Sequence, residues 1–409
     1  MTVLDPKCDE LKFEIQDEVA PRPKIRVIGV GGAGSNAVAH IMNSGLESIE
    51  CCVVDSDLQV LRASPVPGKL AIGLKLTGGR GAGADPQIGK QAALEDTERI
   101  TELVLGADMV FVIAGLGCGT ATGAAPVIAS LAREMDALTV GMVTRPFGFE
   151  GPVCAHNAER GLAELREAVD ALLTIPNDRL LTLTKRGTSL PDAFRMAHEI
   201  MRQAVAEIVE IITTPGLSNR NFSDIRAVMR GTGPAIMGTA TARGEEAAVE
   251  AARQAINSPL VESATIAGAR NILVHVTGSS RLGLHEVSEA CTLVREAARA
   301  EDAHVRLGVV INESMADAVK VTVIATGFPP PQAADSLAAL GTAAWKPAVL
   351  PPPASEAFPT PQTSISPVAE FDSSPQPFGS DEPEADADDF TDLEDLETPA
   401  FLKRRRLLP

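Results

Sequence analysis

The tightest constraint on this chain is a glycine-rich loop that closes a short apolar run and opens a helical pattern. It lies in "KIRVIGVGGAGSNAVAHIMNSGL", Lys24 to Leu46. Successive glycines let backbone approach a phosphate closely, and the helix predicted from about Ser35 points its free N–H groups and positive dipole end at that phosphate. Gly29, Gly31 and Gly34 also spell G-x-G-x-x-G. Asp55 lies 21 residues beyond Gly34, at the end of the next apolar run, where an acid would hold a ribose 2'-hydroxyl in a dinucleotide site. From these residues alone, an NAD- or FAD-dependent oxidoreductase, a different nucleotide binder and a purely structural turn all stand open.

A second loop narrows the choice. "GLGCGTATGAAP", Gly115 to Pro126, follows the strand pattern "DMVFVIA" and opens another helix. A dehydrogenase has no standard use for a second phosphate cradle at this point, whereas a triphosphate needs several donors. Thr120 and Thr122 are expected to add hydroxyl donors. A third loop, "LTGGRGAGADP" from Leu76 to Pro86, is placed to close over the terminal phosphate. The lysine-bearing P-loop is absent. Its nearest match, Gly83 to Lys90, has one residue too many between its glycines and no Ser or Thr after the lysine. Such a chain would hold a nucleoside triphosphate through backbone amides.

Around these loops, short apolar strands alternate with amphipathic helices from Lys24 to about Phe149, the pattern of a parallel α/β sheet. "IGKQAALEDTERITELVLG" reads as one helix. Pro191 to Thr214 reads as a long helix, opened by Pro191 and stopped by Pro215-Gly216, that would span roughly 30 Å or a little more between two domains. A second α/β unit follows. After Phe328 the composition changes: 14 of the 29 prolines lie from Pro329 to Pro399, and ten acids and no base lie between Ser380 and Glu397. That segment cannot bury enough apolar area to offset its ordering entropy and is expected to be a disordered tether. It ends in the apolar-basic tip "PAFLKRRRLLP".

Charge and composition exclude some functions. A net charge of −18, no Tyr and the single Trp345 argue against nucleic acid as a partner. No apolar run reaches the roughly 18 residues of a membrane span. The first 22 residues are acidic and polar, unlike a secretory signal. The six cysteines show no metal-ligand spacing and read as reduced thiols of a cytosolic protein.

Taken together, these blocks resemble FtsZ, the bacterial tubulin-like family of cell-division GTPases. "GVGGAGSNAV" is similar to the family's first phosphate loop, and "GLGCGTATGAAPVIA" to the tubulin signature, usually GGGTGTG. "VTRPFGFEG", "IPNDRLL", "PGLSNRNFSDIRAVM" and "VKVTVIATGF" match further family blocks, and "DLETPAFLKRR" resembles the family's C-terminal peptide. The resemblance implies a tubulin-like α/β fold: a Rossmann-like parallel-sheet GTP-binding domain, a long central helix, a smaller α/β domain and a disordered tail. The corresponding divisions are an N-terminal extension (1–22), the GTP-binding domain (23–190), the central helix (191–214), a C-terminal activation domain (215–328), a linker (329–390) and a docking peptide (391–409).

The resemblance also implies site residues. GTP or GDP, with Mg2+, would meet Gly31, Gly32, Ala33, Gly34, Ser35 and Asn36 in the first loop. Gly117, Cys118, Gly119, Thr120, Ala121, Thr122 and Gly123 would serve in the second, with Asp57, Ala82 and Gly83 near the terminal phosphate. Glu150 would hold the ribose near Cys154. Asn177 and Glu199 would read the guanine, with Phe194 against the ring; from its pattern alone, Phe194 reads as a core residue of the long helix. Hydrolysis would need the loop "NRNFSD" of a neighbouring subunit, with Asn219, Asn221 and Asp224 about the attacking water. Asp224 alternatively reads as a helix N-cap.

Several positions depart from the family pattern. Asn221 replaces an acid, and an amide cannot accept a proton as a carboxylate does. Cys118 and Ala121 replace glycines, Cys154 replaces an arginine, and Glu199 replaces an aspartate. The expectation is therefore a GTP-hydrolysing protein that polymerises head-to-tail into division-ring protofilaments in the cytoplasm at mid-cell. A slow-hydrolysing or regulatory paralogue is the alternative, and an oxidoreductase a distant one. Pro399, Phe401, Leu402, Lys403 and Arg404 would dock on an actin-like membrane tether, so that membrane contact is indirect.

Overall fold

The computed structural model describes residues 22–329, apart from 47, 185–186, 215–221, 258–265 and 301. Its first part runs β1 (Ile25–Val30), α1 (Gly31–Met42), β2 (Ile49–Asp55), α2 (Leu58–Ala63), β3 (Gly68–Ala71), α3 (Leu74–Thr77), α4 (Pro86–Glu95), α5 (Thr97–Val104), β4 (Met109–Gly115), α6 (Gly119–Glu134), β5 (Leu138–Arg145), α7 (Pro152–Ala168), β6 (Ala171–Pro176) and α8 (Asn177–Leu183). Then come α9 (Leu190–Thr213), α10 (Phe222–Met229), β7 (Gly233–Arg243), α11 (Ala247–Ile256), β8 (Asn271–Gly278), α12 (Leu284–Ala298), β9 (His304–Ile311) and β10 (Ala318–Thr326).

The strands order as β3-β2-β1-β4-β5-β6-β7-β10-β8-β9. From β3 to β6 all pairs are parallel. Strands β1, β4 and β5 are buried on both faces, which explains why they read as near-continuous apolar runs. One face packs Val27, Phe111 and Met142 with Ile41 of α1 and Ile208 of α9. The other packs Ile28, Val112 and Val143 with Ala125 and Ile128 of α6. Strand order reverses between β1 and β4, so a crevice opens beyond their C-terminal ends, where open α/β sheets bind ligands. Both glycine loops emerge there.

Strand β7 joins the two halves of the sheet. It pairs parallel with β6 at Gly233 and Pro234, then antiparallel with β10 over the rest of its length. Helix α9 begins at a Ser189 cap, whose Oγ accepts the Asp192 N–H at 3.2 Å. Its far end is tied to β10: Lys320 Nζ donates to Glu210 at 2.6 Å and to Glu207 at 3.3 Å, and the Thr322 hydroxyl donates to Glu207 at 2.9 Å.

Four features differ from the sequence-based expectations. Helices α1 and α6 start at Gly31 and Gly119, inside the glycine loops rather than after them. The helix expected from Ile88 to Gly106 is two, α4 and α5. Asp96 lies between them with φ −109° and ψ 28°, outside the helical region, and its carboxylate accepts the Gly73 N–H at 2.7 Å. Asn177 opens α8 instead of extending the preceding strand, and β7 had no counterpart in the sequence reading.

Candidate nucleotide-binding site

The first cradle is rigid because its glycines are filled by neighbouring backbone. A Cβ at Gly29 would collide with the Gly34 carbonyl, and one at Gly34 with the Ile113 carbonyl, so α1 is pressed onto β1 and β4. Gly31 adopts φ +73°, and a Cβ there would stand 2.9 Å from Ala121 Cβ. The first and second loops therefore touch. Gly32, Ala33 and Asn36 are exposed, and nothing lies within 4 Å of a Cβ at Gly32. Ser35 is buried beneath them.

The second loop is held from within. Gly117, at φ +116°, donates its N–H to Thr122 Oγ1 at 2.9 Å, and the Ser56 and Thr120 hydroxyls lie 2.6 Å apart. Both threonines are buried. Thr122 Oγ1 accepts here through a lone pair, which leaves its O–H proton available to donate, and both hydroxyls brace the loop. Cys118 has extended backbone and Ala121 lies in the first turn of α6, so neither position demands positive φ and neither side chain is strained. The Ala121 methyl fills the space under Gly31. The third loop packs on the second: a Cβ at Gly119 would stand 2.8 Å from Ala82 Cβ, and one at Gly123 would collide with the Pro86 carbonyl. Gly83 is exposed, with open space around it. Asp57 caps α2 by accepting the Gln59 N–H at 2.7 Å.

Asp55, the residue a dinucleotide site would need, is sealed. It is buried beside Thr120, accepts the Asp57 N–H at 3.1 Å and presents no face to a ribose. Burial raises its pKa.

Beyond the cradles a pocket continues between β4, β5 and α9, lined among others by Ala33, Gly115, Cys118, Glu150, Asn177, Phe194 and His198. A small apolar cluster of Phe147, Leu180, Ala193 and Ala197 lies beside it, and Ala197 of that cluster lines the pocket. Phe194 is half-exposed and sits edge-on to Phe147 with ring centroids 5.5 Å apart, so it is a pocket wall rather than core. Glu150 Oε1 accepts the Phe147 N–H at 2.8 Å. Asn177 is buried, and its Oδ1 has no hydrogen-bond partner. An orphaned buried acceptor on a pocket-lining residue is a group that a ligand N–H would satisfy. Cys118 lines the pocket, and burial pushes its thiol up, helped by Cys154 and Glu150.

Glu199, expected to read the base, does not line this pocket. It binds Arg202 through two hydrogen bonds and His40 of α1 at 2.8 Å, and the Arg202 guanidinium, with His40, holds its carboxyl down at about 2. The preceding residue, His198, lines the pocket instead; the sequence reading passed over it. Asn219 and Asn221 lie outside the described residues, as do 1–21 and 330–409 with the tail residues Pro399, Phe401, Leu402, Lys403 and Arg404. Asp224 is in the first turn of α10.

Comparison with known proteins matches this architecture. Residues 24–185 match the tubulin/FtsZ family GTPase domain, and residues 233–329 the FtsZ family C-terminal domain. An empty FtsZ dimer structure from M. jannaschii is 39% identical, covers 75% of this chain and 89% of its own, and superposes with a TM-score of 0.68. The chain belongs to the tubulin/FtsZ family. CetZ2 from Haloferax volcanii, solved as a GTPγS-bound protofilament, shares the fold at 24% identity, 76% and 96% coverage and a TM-score of 0.66. CetZ1 from the same organism, a GDP-bound monomer, does so at 23% identity, 75% and 94% coverage and a TM-score of 0.65. As a member of the tubulin/FtsZ family, which binds GTP or GDP, the chain is a tubulin-like cytoskeletal GTPase. The oxidoreductase alternative ends here, with Asp55 buried.

Proposed function

We propose that this chain polymerises head-to-tail, with one subunit completing the GTPase site of the next, and that it serves in the bacterial division ring in the cytoplasm at mid-cell. The observation that carries this reading is the placement of α10. Its Arg226 and Arg230 pair with Asp136, just before β5, at 2.7 Å, and Thr232 N–H donates to the Asp170 carbonyl, just before β6. Helix α10 thus lies at the N-terminal edge of the sheet, and the cradles lie at the C-terminal edge. Strands of six to eight residues separate the two edges by about 20–25 Å. Asp224 cannot serve the nucleotide of its own chain, but it can serve that of a chain stacked above or below.

In this reading the amides of Gly32, Ala33 and Gly119 hold phosphate, Ala82 and Gly83 close over the terminal group, and Glu150 meets the ribose. Mg2+ would be held mainly by phosphate oxygens and water. Among the described residues no three His, Cys, Asp or Glu side chains gather to hold a metal by themselves. Residues 23–190 and 215–328 serve as the GTP-binding and activation domains about the 191–214 helix. Residues 329–390 tether the 391–409 peptide, which docks on an actin-like membrane tether.

Asn221 favours a second reading, a slow-hydrolysing or regulatory paralogue, because an amide at that position cannot act as a base. Phosphate release per chain, measured across the concentration at which filaments pellet, tests both. Release that rises only with assembly, and rises further in Asn221→Asp, is expected. A rate per chain independent of concentration contradicts head-to-tail completion. A wild type as fast as Asn221→Asp contradicts the slow reading.

A further inference from the structure

A buried carboxylate that no step above uses lies beside the second cradle. Asp55 ends β2 and is 3% exposed, too little for a ligand to reach it. Burial raises its pKa, and Asp57 adds to the rise; the Asp57 and Ser56 N–H groups and the Thr120 hydroxyl oppose it. No cation is among the groups that shift it. Its Oδ1 accepts the Asp57 N–H at 3.1 Å. Thr120 is the second residue of α6, and its hydroxyl lies 2.6 Å from that of Ser56. The Ser56 carbonyl accepts the Gly81 N–H of the third loop at 3.2 Å. Asp55 thus stands at the joint between the second and third loops, against the first turn of α6.

That placement works against an anion on the same helix end. Free N–H groups and the dipole at a helix N-terminus favour one negative charge, and a second charge there meets the first. A phosphate on the α6 amides would stand about 8–11 Å from the Asp55 carboxylate. That span is one hydrogen bond to the amide, the reach from amide to Thr120 hydroxyl, and the step on to Asp55. Ser56 and Thr120 are buried between the two charges, so salt screens them little. At an effective dielectric of about 20, repulsion over that distance weakens binding by about tenfold or more per unit of ligand charge. GTP carries one negative charge more than GDP and is penalised more. A neutral amide at position 55 would still accept the Asp57 N–H and would remove the repulsion.

We infer that Asp55 sets the nucleotide affinity of this chain: its buried carboxylate shares the N-terminal end of α6 with the phosphates, weakens nucleotide binding, and weakens GTP more than GDP. The inference rests on the reading of the glycine cradles as the phosphate site. Asp55 touches no nucleotide in it and acts through the field at α6.

The test is displacement of a fluorescent GTP analogue by GTP and by GDP, with Mg2+, on the full chain in wild type and Asp55→Asn, with urea unfolding as the check on fold. Asp55→Asn is expected to tighten GTP by at least about tenfold and GDP by less. A residue that only caps the turn after β2 would leave both affinities unchanged or lower in that variant. GTP affinity equal to or below wild type in folded Asp55→Asn, or a gain for GDP as large as that for GTP, overturns the inference and leaves GTP binding by the cradles intact. Asp55→Ser, a smaller neutral acceptor, supplies the same comparison if the amide variant does not fold. If folded wild type binds neither nucleotide, the reading of the cradles fails and the inference with it.

Discussion

Two adjacent glycines in the first cradle have opposite jobs, and alanine at each separates them. At Gly31 the backbone has φ +73°, and a Cβ would stand 2.9 Å from the Ala121 methyl. A non-glycine residue in the left-handed region costs about 1–2 kcal/mol, and overpacking a filled site costs about 1–3 kcal/mol. Gly31→Ala should therefore lose about 2–5 kcal/mol of stability. At Gly32 the helix has begun, φ is not positive, and a Cβ meets nothing within 4 Å. Replacing a helical glycine with alanine gains about 0.5–1 kcal/mol. Yet that open space is where a phosphate must sit to reach the Gly32 and Ala33 amides. Gly32→Ala should be as stable as wild type or slightly more so, and bind GTP about tenfold more weakly or worse, a loss of about 1.4 kcal/mol. Urea unfolding without nucleotide measures the first effect, and titration with a fluorescent GTP analogue the second. A Gly32→Ala protein that binds GTP normally would refute the placement of phosphate over the first turn of α1. A Gly31→Ala protein as stable as wild type would refute the packing argument.

Other perturbations probe the frame. Glu207 is almost fully buried between α9 and β10, so Lys320→Met should cost about 3–5 kcal/mol by stranding its charge; adding Glu207→Gln should recover part of that loss in urea unfolding. Burial pushes the His275 pKa down to about 4, with Glu210 and Lys320 the charged groups near it. The unfolded chain then binds the proton first, and stability should fall as pH drops from about 6.5 to 4, by up to about 3 kcal/mol. Subtracting the pH profile of His275→Gln isolates that loss, and superimposable profiles would refute it. Truncation after Glu397 should leave filament pelleting with GTP unchanged and abolish co-sedimentation with the membrane tether; loss of pelleting would contradict the docking role of the tail.

The parallel core was legible because β1, β4 and β5, buried on both faces, must be written as apolar runs. The starts of α1 and α6 were hidden for the opposite reason. Helix α1 opens on Gly31-Gly32-Ala33-Gly34 and α6 on Gly119, and glycine carries no helical signal. Strand β7 escaped notice because "GPAIMGTATAR" is made of small residues and opens with Gly-Pro, a turn signal. The glycine loops after β1 and β4 could be read from their spacing alone. The lining of the neighbouring pocket could not: one residue along a helix is a 100° turn, and only the packing of α9 on α1 fixes that His198 and not Glu199 lines the pocket. The stripe from Phe194 through Ala197 and His198 to Met201 was the available clue.

Equilibrium dialysis of the purified chain against labelled GTP, with NAD in a parallel cell, addresses the core of the account. Binding of GTP approaching one per chain, lost in Gly32→Ala while that variant stays folded, is the expected result. NAD bound in place of GTP, or no guanine nucleotide bound to folded wild type, would contradict the assignment of the paired glycine cradles.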